Sequence, residues 1–303
     1  MLIVTGTIGI DTIEAPTGNA SGVMGGSAAY FAAAASHLSP VRLVAAVGDD
    51  WPADHRAVME EFTSIDFGGL EVRSGSTTFA WGGRYFDNMN QRETLFTELG
   101  VLEEAPPVVP EDFRESKLVF LANTHPAVQM DLLSQFPDRE LAVCDTMDLW
   151  IDVANDDLKA LLGKVDGVIL NDGEAEMLTG IKNVVDAGRA LLEYGLTFAV
   201  VKKGEHGAML VHRDGVAVVP AFPAGIDEVV DPTGAGDSFA GGLMAHLART
   251  GRTDFAAIQQ GLAWGTVMAS FTIGSFGLDG LRDLGDSRIE DRMNRYREAA
   301  RID

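Results

Sequence analysis

The stretch Val229-Val-Asp-Pro-Thr-Gly-Ala-Gly-Asp-Ser-Phe-Ala-Gly-Gly242 carries the most information in this 303-residue chain. Small residues at 234–236 allow backbone N–H groups to approach a ligand closely. A helix that begins there directs the positive end of its dipole at the same point. We therefore predict an anion-binding site built from Gly234, Ala235 and Gly236. A glycine-rich helix cap that binds nothing is the alternative for so short a pattern.

Asp237 follows these residues in the first turn of a predicted helix, Gly236–Arg249. A carboxylate beside backbone amides stays ionised, so it can accept a proton from an attacking hydroxyl. Phe239 stands where a dinucleotide fingerprint needs its third glycine. Neither Gly-x4-Gly-Lys-[Ser/Thr] nor Gly-x-Ser-x-Gly occurs. The sequence therefore disfavours a P-loop nucleoside triphosphatase and a serine hydrolase.

Short apolar runs alternate along the chain with stretches of helical spacing. The runs predict strands at Leu2–Thr5, Arg42–Val47, Leu118–Ala122, Leu141–Cys144, Val168–Leu170 and Ala199–Lys202. The helical spacing covers Ser27–Leu38, Pro126–Gln135, Asp156–Leu162, Val184–Tyr194, Phe255–Ile273 and Ser287–Ala300. Continuous apolar runs are typical of strands buried on both faces of a mostly parallel sheet. We predict one α/β domain over residues 1–303, with a doubly wound sheet.

Glu71–Leu99 departs from this alternation, since it is rich in Thr, Gly and aromatic residues. Its composition predicts a β-hairpin with the turn at Asp87–Asn90. Together with residues 11–20 it would form a small β lid over an active site. An ordinary edge hairpin with exposed aromatic side chains is the alternative.

The chain carries 45 acidic and 23 basic residues, a net charge of −22 at pH 7. Such a field repels phosphate backbones and anionic membranes, so we expect neither nucleic acid nor a membrane as a partner. Cys144 is the single cysteine, which excludes a disulfide framework. No signal peptide or long apolar run is recognisable, and we expect a cytoplasmic protein.

Asp231-Pro-Thr-Gly-Ala-Gly-Asp237 matches the C-terminal signature of the ribokinase-like (PfkB) family of sugar and nucleoside kinases. Other segments resemble the family's landmarks in the same order along nearly the whole chain. They are Gly6 with Asp11, Gly25-Gly-Ser-Ala-Ala-Tyr-Phe-Ala32, Asn171-Asp-Gly-Glu-Ala-Glu-Met-Leu-Thr-Gly180 and Val201-Lys-Lys-Gly-Glu-His-Gly-Ala208.

The resemblance implies a role for each matching position. Asp237 would be the catalytic base, and the amides of Gly234, Ala235 and Gly236 would hold the transferring phosphoryl group. Asp231 would orient the loop and bind a potassium ion, and Glu174 with Asn171 would organise Mg²⁺ through water. A strand-end turn residue is the alternative for Asn171. ATP would be bordered by Asn171, Lys203, Gly204, Gly207, Thr233 and Gly277.

On the acceptor side the sequence departs from the family pattern, because Tyr30 replaces an Asn that contacts sugar in many relatives. Asp145-Thr-Met-Asp-Leu-Trp150 resembles a stretch of some hexose kinases but lacks its Arg, which disfavours phosphorylated sugars. The resemblance implies that Asp11 holds substrate hydroxyls, next to Gly25 and Gly26. If the acceptor is a nucleoside, Tyr30 or Trp81 would stack on its base.

We expect an ATP-dependent kinase that phosphorylates a hydroxyl of a sugar or polyol. A nucleoside kinase is the alternative within the family. A non-catalytic ligand-binding protein of the same fold is the alternative of another class. Lid-to-lid homodimers occur among relatives and are implied here as well.

Overall fold

The strands form where the apolar runs predict them, together with several that the runs do not reveal. The computed structural model describes residues 1–301. Its strands are β1 Leu2–Thr5, β2 Gly9–Ala15, β3 Gly18–Gly25, β4 Val41–Gly48, β5 Ile65–Arg73, β6 Phe79–Tyr85, β7 Arg92–Glu98, β8 Leu118–Leu121, β9 Leu141–Asp145, β10 Gly167–Asn171, β11 Phe198–Lys202, β12 Ala208–His212 and β13 Gly215–Val219.

The α-helices alternate with most of these strands. They are α1 Ser27–Ser36, α2 Ala53–Glu60, α3 Pro126–Ser134, α4 Asp148–Val153, α5 Asn155–Leu162, α6 Asp172–Thr179, α7 Val184–Leu192, α8 Ala235–Thr250, α9 Phe255–Thr272 and α10 Asp286–Ala299. As predicted, α8 and α9 follow one another with no strand between them.

Nine strands form the large sheet, in the order β13-β12-β11-β10-β9-β8-β1-β4-β5. All neighbours from β11 to β5 are parallel, and β12 and β13 add an antiparallel edge. The strand order reverses direction at β1, which lies between β8 and β4. The predicted doubly wound, mostly parallel sheet is confirmed.

The core consists of two apolar layers, one on each face of the large sheet. Side chains of a strand alternate between the faces, so Leu2 and Val4 pack in one layer and Ile3 in the other. The first layer contains α1, α8 and α9, and the second contains α3, α5 and α7. Burial on both faces explains why the strands are continuous apolar runs rather than alternating ones.

Four strands form a second sheet in the order β3-β2-β6-β7, which we call the lid. The lid is therefore built from two hairpins, of which β2 and β6 pair in parallel. This corrects the predicted hairpin, because Glu71 belongs to β5 at the edge of the large sheet and the lid hairpin begins at Phe79. The predicted turn at Asp87–Asn90 does lie between β6 and β7.

The lid is closed over the large sheet. Ile13, Tyr85 and Met89 form a small apolar cluster, against which Val229 and Phe276 of the body pack. Within residues 1–301, no helix is long and apolar enough to span a membrane.

Candidate active site

The carboxyl ends of the parallel strands gather polar side chains at one edge of the sheet. Asp145 ends β9, Asn171 ends β10 and Lys202 ends β11. In open α/β sheets, ligands bind in the crevice outside these ends. The start of α8 lies at the same edge, because a side chain at Gly236 would overlap Lys202 Nζ.

The loop before α8 adopts a geometry that only glycine allows at position 234. Gly234 has φ 74°, in the left-handed region, and caps α8. A Cβ there would also overlap the ring of Tyr30, which is 1% exposed. The Tyr30 ring therefore packs directly against the loop at Gly234. This corrects the expectation that its ring could stack on a nucleobase, since the ring is enclosed by protein.

Asp231 is fully buried at the start of this loop. Its Oδ1 accepts a hydrogen bond from Thr233 N at 2.8 Å, whereas Oδ2 has no partner among the described residues. The backbone N–H groups of Val230 and Asp231 both donate to the carbonyl of Ile273. An unpartnered buried carboxylate oxygen fits a cation such as potassium.

Asp237 lies in the first turn of α8 and forms a hydrogen-bonded pair with Asp145. Burial raises the pKa of Asp237 to about 6, and Lys202 and Arg92 oppose this increase. Burial and the charge of Asp237 raise the pKa of Asp145 well above its usual value. When two carboxyl groups share one proton, one of them is ionised. The order of the two pKa values leaves the proton on Asp145 and the negative charge on Asp237.

Asn171 and Glu174 form a capping box at the start of α6. Asn171 Oδ1 accepts from Glu174 N, and Glu174 Oε2 accepts from Asn171 N, both at 2.8 Å. Glu174 is buried, and burial raises its pKa, against the effect of Lys202. Both the turn role and a role near a metal are thus open to this pair.

No group of three or more His, Cys, Asp or Glu residues in the described part of the chain forms a ready metal cage. Mg²⁺ in phosphotransferases is held instead by one or two carboxylates together with water and phosphate oxygens. Asp145 Oδ1 is buried without a hydrogen-bonding partner among the described residues, and the charge of Glu174 helps to raise the pKa of Asp145. The carboxylate of Glu174 fits such a magnesium site, whereas Asp145 keeps the proton that it shares with Asp237.

The other residues predicted to border the nucleotide divide into two groups. Lys203, Gly204 and Gly207 form one tight turn, closed by a 2.7 Å hydrogen bond from Lys203 N to the carbonyl of Gly207. Gly277 lies elsewhere, with Val23 and Met24 of the lid strand β3 as its nearest neighbours. Thr233 donates from Oγ1 to the hydroxyl of Tyr85 in the lid, at 3.2 Å.

Asp11 projects from the lid strand β2 into the same cleft. It is 3% exposed, and its Oδ1 has no partner among the described residues. Burial, followed by the charges of Asp231 and Asp237, raises its pKa to about 8. Gly25 is required beside it, because any side chain there would overlap the Asp11 carboxyl group. Gly26 begins α1 with φ 98° and packs against the backbone of Thr7.

Trp81 lines a small apolar pocket between the lid and the body. The pocket is lined by Thr7, Phe79, Trp81, Thr97, Leu99, Leu102, Asn123, Thr124, Met147, Leu149 and Trp150. Asn123 is fixed in it, since Oδ1 accepts from Trp150 Nε1 at 3.0 Å. Trp81 and Trp150 thus line the same pocket, whereas Tyr30 does not.

Lys202, Asp145, Tyr85 and Arg92 were not identified as site residues from the sequence. Lys202 is adjacent to the predicted Lys203, and its place at a strand end was the available signal. Asp145 also ends a predicted strand. Arg92 and Tyr85 had no local signal, because only the fold of the lid brings them to the cleft.

Comparison with known proteins supports the family and the fold. Residues 135–280 match the model of the pfkB family of carbohydrate kinases. The chain is 30% identical over 252 residues to the cytidine kinase of Thermococcus kodakarensis, covering 82% of this chain and 88% of that protein.

Solved structures show the same fold at low identity. The nucleoside kinase of Burkholderia thailandensis in complex with inosine superposes with a TM-score of 0.78 at 18% identity, covering 98% of both chains. The fructokinase of Vibrio cholerae O395, bound to fructose, ADP and calcium, gives a TM-score of 0.75 at 18% identity, covering 97% of this chain and 99% of that one.

Proposed function

Because the chain belongs to the pfkB family of carbohydrate kinases, we propose that it transfers the γ-phosphoryl group of ATP to a hydroxyl of a sugar or polyol. One observation carries this proposal. Asp237, at the amino end of α8, shares a cleft with Asp11, whose buried carboxylate oxygen has no partner. Asp237 as a proton acceptor and Asp11 as a ligand for hydroxyl groups therefore lie in one cleft.

The reaction follows from this arrangement. Asp11 accepts hydrogen bonds from substrate hydroxyls and orients the acceptor. Asp237 accepts the proton of the attacking hydroxyl as its oxygen bonds to phosphorus, and the bond from phosphorus to the ADP oxygen breaks. The amides of Gly234, Ala235 and Gly236 stabilise the negative charge that develops on the phosphoryl oxygens. Lys202 adds a positive charge beside Gly236.

Mg²⁺ would neutralise phosphate charge, held near Glu174 and Asn171. Asp231 would bind potassium through its unpartnered oxygen and so fix the loop that begins there. The turn Lys203–Gly207 would border the nucleotide. Each of these assignments rests on the matching sequence positions and on their gathering at the carboxyl edge of the sheet.

A nucleoside is the second candidate acceptor, and the pocket between Trp81 and Trp150 favours it. Aromatic side chains suit a nucleobase, and the fixed amide of Asn123 offers a polar contact at the pocket wall. The cytidine kinase similar to this chain acts on such a substrate by its name. A free sugar would leave this apolar wall without a partner.

We also infer that the chain forms a homodimer through its lid. Strand β7 lies at the edge of the lid sheet, and all its residues are exposed, including Leu95 and Phe96. An unpaired, partly apolar edge is a surface on which another strand can pair. Light scattering after size exclusion would contradict this inference by giving the mass of a single chain.

The proposed function is tested by measuring ATP consumption with pooled sugars, polyols and nucleosides, followed by separate assays of the active pool. Turnover with at least one acceptor is expected. A protein that binds Mg-ATP but turns over none of the pools would instead be a non-catalytic module of this fold. Asp237→Asn is the control, since contaminating kinases would survive the substitution.

A further inference from the structure

Arg92 stands at the start of β7, where the lid faces the body. It pairs in register with Tyr85 of β6. Its guanidinium carbon lies 5.5 Å from the centre of the Trp81 ring and its side chain hydrogen-bonds the Tyr85 hydroxyl. The nearby Arg84 differs, since its Nε donates to Glu14 at 2.7 Å on the outer surface of the lid.

The positive charge of Arg92 acts on the catalytic carboxyl groups. Burial raises the pKa of Asp11, Asp237 and Glu174, and Arg92 partly offsets this increase for all three. A single side chain can influence these groups together only from a position between the acceptor side and the nucleotide side of the cleft. Arg92 is nevertheless exposed to solvent, so it lines the cleft instead of filling the protein interior.

A triphosphate needs cations in this cleft, because the described side chains around it are mostly acidic. Lys202 of β11 places its ammonium group beside Gly236 at the start of α8. Among the groups that act on Asp237, Arg92 is the other cation, and it approaches from the lid. A planar guanidinium with several donors matches phosphoryl oxygens better than an ammonium does.

Within the lid, Tyr85 connects Arg92 to the loop before α8. The Tyr85 hydroxyl bonds both Arg92 and Thr233, and Thr233 lies directly before Gly234. Closure of the lid therefore sets the guanidinium relative to the amides that receive the phosphoryl group.

We propose that Arg92 is a catalytic residue that binds the transferring phosphoryl group from the lid. This inference rests on the proposed kinase function. Lid closure would deliver the guanidinium, and Lys202 and the loop amides would hold the same group from the body. Charge building on the phosphoryl oxygens would then be neutralised from both sides of the cleft.

The test compares Arg92→Ala and Arg92→Lys with the wild type. The probes are Mg-ADP alone and Mg-ADP with aluminium fluoride, which occupies the place of the transferring phosphoryl group. Calorimetry should show that Arg92→Ala weakens the aluminium fluoride complex by about 10²-fold, while Mg-ADP binding stays nearly unchanged. Arg92→Lys should weaken the aluminium fluoride complex by a smaller factor. Arg84→Ala, the matched lid control, should behave as wild type.

Three results would overturn the proposal. Equal aluminium fluoride binding by wild type and Arg92→Ala would show that Arg92 does not contact the transferring phosphoryl group. A loss of the same size for Mg-ADP alone would place Arg92 at the bound nucleotide and not at the transferring phosphoryl group. In assays with cytidine and with D-ribose, a rise confined to the acceptor KM would assign Arg92 to the acceptor. A wild type that binds no Mg-ADP would instead refute the kinase function itself.

Discussion

At the scale of single residues, the charge state of Asp237 depends on a neighbour distant in sequence. Asp145 is buried and carries the strongly raised pKa of the pair, so it keeps the shared proton. Asp237, with a pKa of about 6, is then ionised at neutral pH. A base whose pKa lies just below the working pH combines the correct protonation state with a useful driving force.

Asp237→Asn should fold normally and lose at least about 10²-fold in turnover, the lower range for removal of a general base. The substitution keeps the shape of the side chain and the start of α8 but removes the proton acceptor. Turnover is measured with the acceptor found in the pooled screen, and circular dichroism checks the fold. Near-normal turnover would refute the assignment of the base.

Asp11 makes the ligand-free protein less stable as the pH rises. Its folded pKa is about 8, and an unfolded Asp titrates near about 4. Between these values the folded protein holds a proton that the unfolded chain has lost, so the stability contribution of Asp11 falls with increasing pH.

Asp11→Asn removes this dependence. The variant should gain stability over wild type from pH 5 to pH 8, by up to about 1.4 kcal/mol per pH unit. Urea unfolding at several pH values measures the difference, and other carboxyl groups cancel because both proteins contain them. A constant difference across this range would show that Asp11 is already ionised in the folded protein.

At the scale of elements, the start of α8 combines a structural and a functional constraint. Gly234 needs its left-handed φ and the space over Tyr30, so it fixes the loop. Gly236 is different, because a side chain there would meet only Lys202 Nζ, the far end of a flexible chain. Because Lys202 can move away, a substitution at Gly236 should leave the fold intact but disturb the site.

Gly236→Val should therefore fold but lose most of its kcat, since the new side chain displaces Lys202 and fills the approach to the amides. Gly225→Val is the control, because Gly225 has φ −72° and nothing within 4 Å of a Cβ. Thermal unfolding and kcat are measured for both. A folded and fully active Gly236→Val would contradict the anion-binding role of the loop.

At the scale of the whole molecule, the lid contacts the body at two separate places, and we propose that the chain divides into an acceptor half and a nucleotide half. Thr17 in the lid donates to the carbonyl of Val230 at 2.6 Å, and Asn90 at the lid tip donates to Glu205 at 3.1 Å. Asp11 belongs to the lid, whereas Asn171, Glu174 and Lys203 belong to the body. The two substrates should thus depend on separate groups of residues.

Asp11→Ala should raise the KM of the acceptor and leave the KM of ATP nearly unchanged. A buried carboxylate that loses its partners costs about 1–3 kcal/mol, so wild type should also reject deoxy analogues of the acceptor strongly. Asn90→Ala is the lid control, which should leave the acceptor KM unchanged. If Asp11→Ala weakened ATP and spared the acceptor, the division into halves would be wrong.

The sequence by itself determined the fold class, the glycine loop before α8 and the position of Asp237 in the first turn of that helix. Strands buried on both faces of a parallel sheet are continuous apolar runs in the sequence. The loop before α8 is one contiguous segment, and its glycines indicate a backbone conformation that other residues rarely adopt. Such information is local, and local patterns predict it.

Only the tertiary structure decided which residues surround Asp237 and what the lid contributes. Arg92, Asp145 and Lys202 meet at Asp237 because of the strand order and the closed lid. Tyr30 was expected at the substrate, yet the packing of α1 under Gly234 encloses it. Contacts between residues so far apart depend on how the elements pack, and no periodicity along the chain encodes that packing.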